Sequence, residues 1–262
     1  MIRRVLAAAI LIPAVLACIF FMPRPVFLGV IDLVLALALW EFFGLVGKYG
    51  AVRYSVTLAA VLGLPWIWCY QNDWILAYLV LAVLLLLSWS VFATRDMQTG
   101  FPSAAGNLLA LFYLGIPMSI LGLLQEAQAL ELLLILITIW MTDTAAYFVG
   151  KFWGRHRITP AISPSKSLEG YLAGFAAAAL TVPVYSYFLL PSWSVPFSVL
   201  TGVVLGVLGT IGDLFESVLK RGAGIKDSSN LIPGHGGILD RIDSLLFAFP
   251  SYYLLRISVL AS

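Results

Sequence analysis

The chain has 262 residues, of which 61% are hydrophobic and only 11% are charged. Soluble domains carry about 25% charged residues, so this composition excludes an ordinary soluble protein and describes one that is embedded in a membrane almost throughout. The net charge of +2 is too small to suggest a nucleic acid as partner.

Taken in order, the chain opens with Met1-Ile2-Arg3-Arg4 and an apolar run. The run continues past Cys18 to Met22, lacks a small-x-small cleavage site and is followed by further apolar runs. We therefore read it as a first span rather than a cleaved signal peptide. Cys18 and Cys69 both fall in apolar runs, without disulfide or zinc spacing, and read as packing residues. A span needs about 20 mainly apolar residues. Windows at roughly 5–22, 26–47, 54–71, 74–93, 104–124, 130–150, 170–190, 195–216 and 241–260 meet this, with Pro65 kinking the third. The fold class expected is all-α: a polytopic integral membrane protein with about nine transmembrane helices. Residues 1–262 read as a single membrane domain, with N-terminal helices over 1–125 and the helices and cytoplasmic loops of the site over 126–262.

Basic residues orient these spans. Thirteen of the 15 Lys and Arg residues fall on the side that holds the N-terminus, among them Arg3, Arg4, Lys48, Arg53 and Arg95, and only Arg24 and Arg256 fall on the other. Positive charge favours the cytoplasmic side. The N-terminus and the polar loops are therefore expected there, in the cytoplasmic (inner) membrane of a bacterial-type cell.

Ionisable groups inside spans are costly and usually have a role. Asp32 and Glu41 lie in the second span, where they either pair across helices or line a polar cleft. Asp143 lies in the sixth, within Trp140-Met141-Thr142-Asp143-Thr144. A basic loop follows, with Lys151, Arg155, His156 and Arg157 ahead of Ser163-Pro164-Ser165-Lys166-Ser167-Leu168-Glu169-Gly170. Arg155 and Arg157 suit a cytoplasmic flank touching anionic headgroups, and His156 suits either role. Lys166, held in a Ser-Pro-Ser turn just before a helix start, is expected to neutralise a phosphate of a nucleotide or lipid. Small residues crowd the seventh and eighth spans, including Gly170, Gly174, Gly202, Gly206, Gly209 and Gly212. They allow close helix packing and leave room for a homodimer face.

The stretch from Asp213 to Asp243 differs from everything before it. It gathers four aspartates, one glutamate, four basic residues and a histidine among several glycines. Asp213, Glu216, Ser217 and Lys220 share one helix face by spacing, and Asp240 and Asp243 share another. Between the two pieces lies a glycine-rich loop whose N–H groups can cradle phosphate oxygens. Carboxylates for a hard metal, cations for phosphate and glycines for close approach together suit phosphoryl or nucleotidyl transfer.

This stretch resembles the signature of the phosphatidate cytidylyltransferases, the CDP-diacylglycerol synthases. The matching positions are Ser217, Lys220, Arg221, Lys226, Asp227, Ile232, Pro233, His235, Gly236, Gly237, Asp240, Arg241 and Asp243. The segment around Asp143 and the following loop resemble a second region of the same family. The resemblance implies transfer of CMP from CTP to phosphatidate, giving CDP-diacylglycerol and pyrophosphate in phospholipid biosynthesis. It implies catalytic roles for Lys166, Ser217, Lys220, Arg221, Lys226, His235 and Asp243. It implies substrate binding by Asp143, Lys166, Lys226, Gly236, Gly237 and Arg241. It also implies acidic metal ligands for Mg2+, with Mn2+ as a substitute and a monovalent cation such as K+ beside it. Asp213 ends the eighth span and Asp240 begins the ninth on the same side, which makes them the expected ligands ahead of Asp227 in the loop and Asp243 behind it. The competing readings are a transporter using the intramembrane carboxylates and a CDP-alcohol phosphatidyltransferase. The first would call for an inverted repeat, and the second for an Asp-Gly-x-x-Ala-Arg run. Neither is found in the sequence.

Overall fold

The structure, a computed structural model, describes residues 2–47, 51–94, 97–232 and 236–260. His235 lies outside the described residues, as do Lys48 and Arg95 of the charge count, while Arg3, Arg4 and Arg53 are described by their backbone alone. The regular elements among the described residues are helices, with one isolated antiparallel bridge between Ile232 and Gly236. The chain groups into two compact units, Met1–Ala127 with Gly222–Arg241, and Gln128–Arg221 with Ile242–Ser262.

The first unit contains α1 (Ile2–Phe21), α2 (Arg24–Val46), α3 (Ala51–Tyr70), α4 (Ile75–Ala93), α5 (Met97–Ala110) and α6 (Ile116–Ala127). Pro23 caps α2 and Pro25 sits in its first turn, where N–H groups have no helical partner and a proline costs nothing. Leu28, Ile31, Leu35, Leu39 and Phe42 recur at helical spacing along α2 and are all buried. The same helix carries Asp32, whose carboxylate accepts the indole N–H of Trp66 in α3 at 2.7 Å. Asp32 is thus paired across helices. A π turn at Leu111–Gly115 joins α5 to α6. It falls just before Pro117, which lacks an N–H and crowds the preceding turn, a misfit that a wider turn relieves. The fifth apolar segment is therefore a continuous 98–125, longer than the 104–124 expected.

The second unit contains α7 (Ala129–Phe152), α8 (Leu168–Leu189), most of α9 (Val195–Gly222) and most of α10 (Leu239–Leu260). The glycines of α9 set how closely its neighbours approach. A Cβ at Gly202 would stand 2.4 Å from the Ala178 carbonyl oxygen of α8, one at Gly209 would stand 2.4 Å from Ile139 of α7, and one at Gly212 would stand 2.6 Å from the Asp243 carbonyl oxygen of α10. At Gly202 and Gly212 the backbones touch only because no side chain intervenes, and at Gly209 the Ile139 side chain fills the space a Cβ would take. In the first turn of α7, Glu131 accepts the Tyr252 hydroxyl and, at 2.8 Å, the Nε–H of Arg256, both from α10.

Among the described residues, six segments have the length and apolarity to cross a membrane: 24–46, 72–93, 98–125, 129–152, 168–189 and 195–222. The apolar stretches at 12–21 and 54–70 are shorter, and α10 carries Asp240, Arg241, Asp243 and Arg256. The all-α, multi-pass membrane class expected from the sequence holds, with these six segments as its core.

The glycine contacts give a stability prediction. Gly202→Ala places a methyl group against rigid backbone, and overpacking of this kind costs about 1–3 kcal/mol. Gly29 has nothing within 4 Å of a Cβ built on it, so Gly29→Ala gains only helix propensity, up to about 1 kcal/mol. Thermal unfolding in detergent is expected to show a lowered midpoint for the first variant and an unchanged or raised one for the second.

Candidate active site

The candidate residues divide between the two units. Asp143, Lys166, Asp213, Ser217, Lys220, Arg221 and Asp243 belong to the second unit, and Lys226, Gly236, Gly237, Asp240 and Arg241 to the first.

In the second unit the basic loop is fixed before α8 begins. Ser167 takes an extended backbone and its hydroxyl accepts the Gly170 N–H at 3.2 Å, an N-cap that starts α8 at Leu168. The Ser-Pro-Ser-Lys-Ser stretch thus forms the helix entry read from the sequence. Glu169, in the first turn, accepts the backbone N–H of Arg155 at 3.0 Å and lies 2.6 Å from Nδ1 of His156. His156 thus serves to fold the loop back onto α8. The guanidinium of Arg157 donates to the Ser165 carbonyl, which ties the loop to itself.

The same loop reaches α9. The Lys166 ammonium pairs with the Asp213 carboxylate, both groups being about one quarter exposed. Arg221 donates from Nε to the Ile162 carbonyl at 3.2 Å. One turn along α9 from Asp213, the fully buried Glu216 pairs with Lys220. Asp243 of α10 is within electrostatic reach of Asp213, Glu216 and Asp143. The contact of Gly212 with the Asp243 backbone explains this convergence, since it brings α9 and α10 together beside these carboxylates. Two ion pairs, Lys166–Asp213 and Lys220–Glu216, thus stand on α9 within electrostatic reach of Asp243, and Arg221 ties α9 to the basic loop. Ser217 follows Glu216 on α9 and is half-buried.

In the first unit the signature folds around two carboxylates. Oδ2 of Asp240 accepts the Ser228 N–H at 2.9 Å, the Ser228 hydroxyl at 2.7 Å and the Gly237 N–H at 2.8 Å. Glu41, only 2% exposed on α2, accepts the Ser229 hydroxyl at 2.6 Å and, at 3.0 Å, shares the single hydroxyl proton of Ser228 with Asp240. It also accepts the N–H groups of Ile238 and Leu239 at 2.9 and 2.7 Å. These two N–H groups stand at the start of α10, so the carboxylate also faces the positive end of a helix dipole. A buried carboxylate is tolerated when charge-assisted donors surround it. Each donor left unpaired would cost about 1–3 kcal/mol.

The paired glycines of the signature follow from these carboxylates. Gly236 has φ +77 and a Cβ there would stand 2.6 Å from Asp240 Oδ2. A Cβ at Gly237 would stand 2.1 Å from the Ser228 hydroxyl and 2.4 Å from Glu41. The sequence suggested a backbone free to cradle phosphate, but the N–H groups of residues 237–239 are engaged by Asp240 and Glu41. Lys226 and Arg241 are exposed at either end of this arrangement.

Sequence reasoning passes over Ser228 and leaves Glu41 between pairing across helices and lining a polar cleft. An acidic residue in an apolar span was a signal, but its partners lie 187–198 positions away and no spacing rule links them.

Comparison with known proteins places this arrangement. The sequence model of the Cytidylyltransferase family matches residues 2–259. A phosphatidate cytidylyltransferase from Thermotoga maritima is 32% identical over 261 residues, covering 96% of this chain and 94% of its own. One from Staphylococcus haemolyticus is 33% identical over 192 residues, covering 72% of this chain and 73% of its own. One from Staphylococcus saprophyticus is 34% identical over 190 residues and covers 72% of each chain. With the match running almost end to end and the signature at 217–243 intact, the chain belongs to the cytidylyltransferase family.

Proposed function

We propose that the chain transfers CMP from CTP to phosphatidate in the membrane, giving CDP-diacylglycerol and pyrophosphate. The observation that supports this reading is the pairing of Lys166 with Asp213 and of Lys220 with Glu216 on α9, with Asp243 in electrostatic reach and Arg221 tied to the loop that carries Lys166. Relatives that share about a third of their sequence are phosphatidate cytidylyltransferases.

The reaction explains this inventory. A phosphate monoester has a second pKa of about 6, so the phosphatidate headgroup is largely dianionic at neutral pH and needs no base to attack. Its oxygen forms a bond to the α-phosphorus of CTP while the bond from that phosphorus to the bridging oxygen breaks and pyrophosphate leaves. The barrier lies in bringing two anions together. Lys166, Lys220 and Arg221 offer the positive charge that offsets this repulsion. Lys166 reaches substrate phosphate by exchanging its Asp213 partner for it. Lys226 and Arg241 are exposed cations available to the same substrates, and Asp143 faces outward from α7 near its cytoplasmic end.

Among the described residues, no three His, Cys, Asp or Glu side chains are arranged as a ready metal site. The donors are nonetheless carboxylate oxygens, the ligands that suit a hard divalent cation. Asp213 and Asp240 are the residues we assign to Mg2+, with Asp243 beside Asp213. When bound, the ion would supply Lewis-acid charge to phosphate oxygens. The positive-inside count supports a cytoplasmic N-terminus and basic loop, with CTP arriving from water and phosphatidate from the inner leaflet of a bacterial-type cytoplasmic membrane.

Three results are expected. Cysteines placed at positions 166 and 235 should react with an impermeant reagent only when the cytoplasmic face is open; reaction in intact cells would reverse the orientation. Lys166→Ala should insert and fold but turn over about tenfold to a thousandfold more slowly with CTP and phosphatidate, and unchanged kinetics would return Lys166 to a topological role. Asp213→Asn and Asp240→Asn should each lose most activity while remaining folded, with the residual activity shifted to higher Mg2+ or Mn2+. Near-normal activity at low Mg2+ in either variant would remove that aspartate from the metal assignment.

A further inference from the structure

We infer that Glu41, on α2, is the positioning residue of the signature, fixing Asp240 through the Ser228 hydroxyl and the start of α10 through its backbone. For its catalytic consequence this rests on the assignment of Asp240 to the metal; the structural part stands without it.

The geometry is specific. Oε1 of Glu41 takes the Ser229 hydroxyl and the Ile238 N–H, and Oε2 takes the Ser228 hydroxyl and the Leu239 N–H. Both carboxylate oxygens therefore hold one residue of the 228–229 loop and one of the 238–239 entry to α10, which clamps these two parts of the signature against each other. Ser228 stands between the two carboxylates, 3.0 Å from Glu41 and 2.7 Å from Asp240. Asp240 Oδ2 is in turn held by the N–H groups of Ser228 and Gly237. Moving Glu41 would thus remove one of the contacts that place Ser228, the residue that supplies two of the three donors orienting Asp240. Gly237 confirms how closely the parts are fitted, since even a methyl group there would collide with the Ser228 hydroxyl and Glu41. Partners of this kind, which orient a metal ligand without touching the metal, are worth about tenfold to hundredfold in metal affinity or activity.

The test uses the purified full-length chain in detergent. In hydrogen exchange without metal, Glu41→Gln should exchange the amides of Ser228, Ile238 and Leu239 at least about tenfold faster than the unsubstituted chain, with α7–α9 unchanged. An amide can accept on only one oxygen, so it cannot replace both arms. In kinetics, Glu41→Gln should lower kcat about tenfold to hundredfold and raise the Mg2+ concentration needed for half activation, leaving the KM for phosphatidate unchanged. A folded Glu41→Gln chain with unchanged exchange and unchanged Mg2+ activation overturns the inference. If that variant fails to fold, Ser228→Ala decides, since it keeps both backbone bonds to Glu41. Its Mg2+ activation should shift in the same direction, and unsubstituted behaviour overturns the link to Asp240. Asp240→Asn, run alongside, separates the two readings. Unaltered Mg2+ dependence there sinks the metal assignment, while the exchange result still decides the role of Glu41.

Discussion

A carboxylate with no access to water must be surrounded by donors, and Glu41 is such a group. Buried on α2, it draws two serine hydroxyls and two backbone N–H groups onto itself. The requirement that a buried charge be solvated by something makes it an organising centre. The residues that solvate it are those of the signature, and they could not leave without exposing a bare charge to an apolar interior. The glycines at 236 and 237 are then a consequence of the carboxylates, because side chains at those positions would occupy the space the carboxylate oxygens need.

The second unit solves a related problem by different means. Its helices are joined by close backbone contact at Gly202 and Gly212 and by the packing of the Ile139 side chain against Gly209. Apolar side chains give no driving force for association inside a lipid phase, so packing and polar contacts must supply it. Close approach then brings ionisable groups on α7, α9 and α10 near one another, and the carboxylates would repel without the lysines and arginine that accompany them. Lys166 and Lys220 each take a carboxylate partner on α9. Under the proposed function, a substrate carrying several phosphates would meet cations that are already positioned and need only exchange one anion for another, which would limit the reorganisation required at the moment of reaction.

The basic loop shows how the two demands combine. Its charges could have served only to orient the chain in the membrane. Instead Glu169 holds its backbone, Ser167 caps the following helix, and Arg221 reaches it from α9. The loop is thereby tied to α8 and α9, with Lys166 at the place where it meets Asp213.

By itself the sequence determined the class of protein, because apolar length and the scarcity of charge follow from composition and need no knowledge of contacts. It also determined the family, since the signature from Ser217 to Asp243 is read by spacing alone. Local relations were equally legible: the Glu216–Lys220 pair is a four-residue helical neighbour, and the helix entry at Ser167 is a short-range cap. The tertiary structure decided what spacing cannot carry. Lys166 and Asp213 are 47 positions apart, and Glu41 is 187 or more from each residue it holds. The sequence left Glu41 between pairing and a polar cleft, because a buried carboxylate states only that it needs donors. Which donors reach it depends on how the helices fold back on one another, and that is settled by packing over the whole unit.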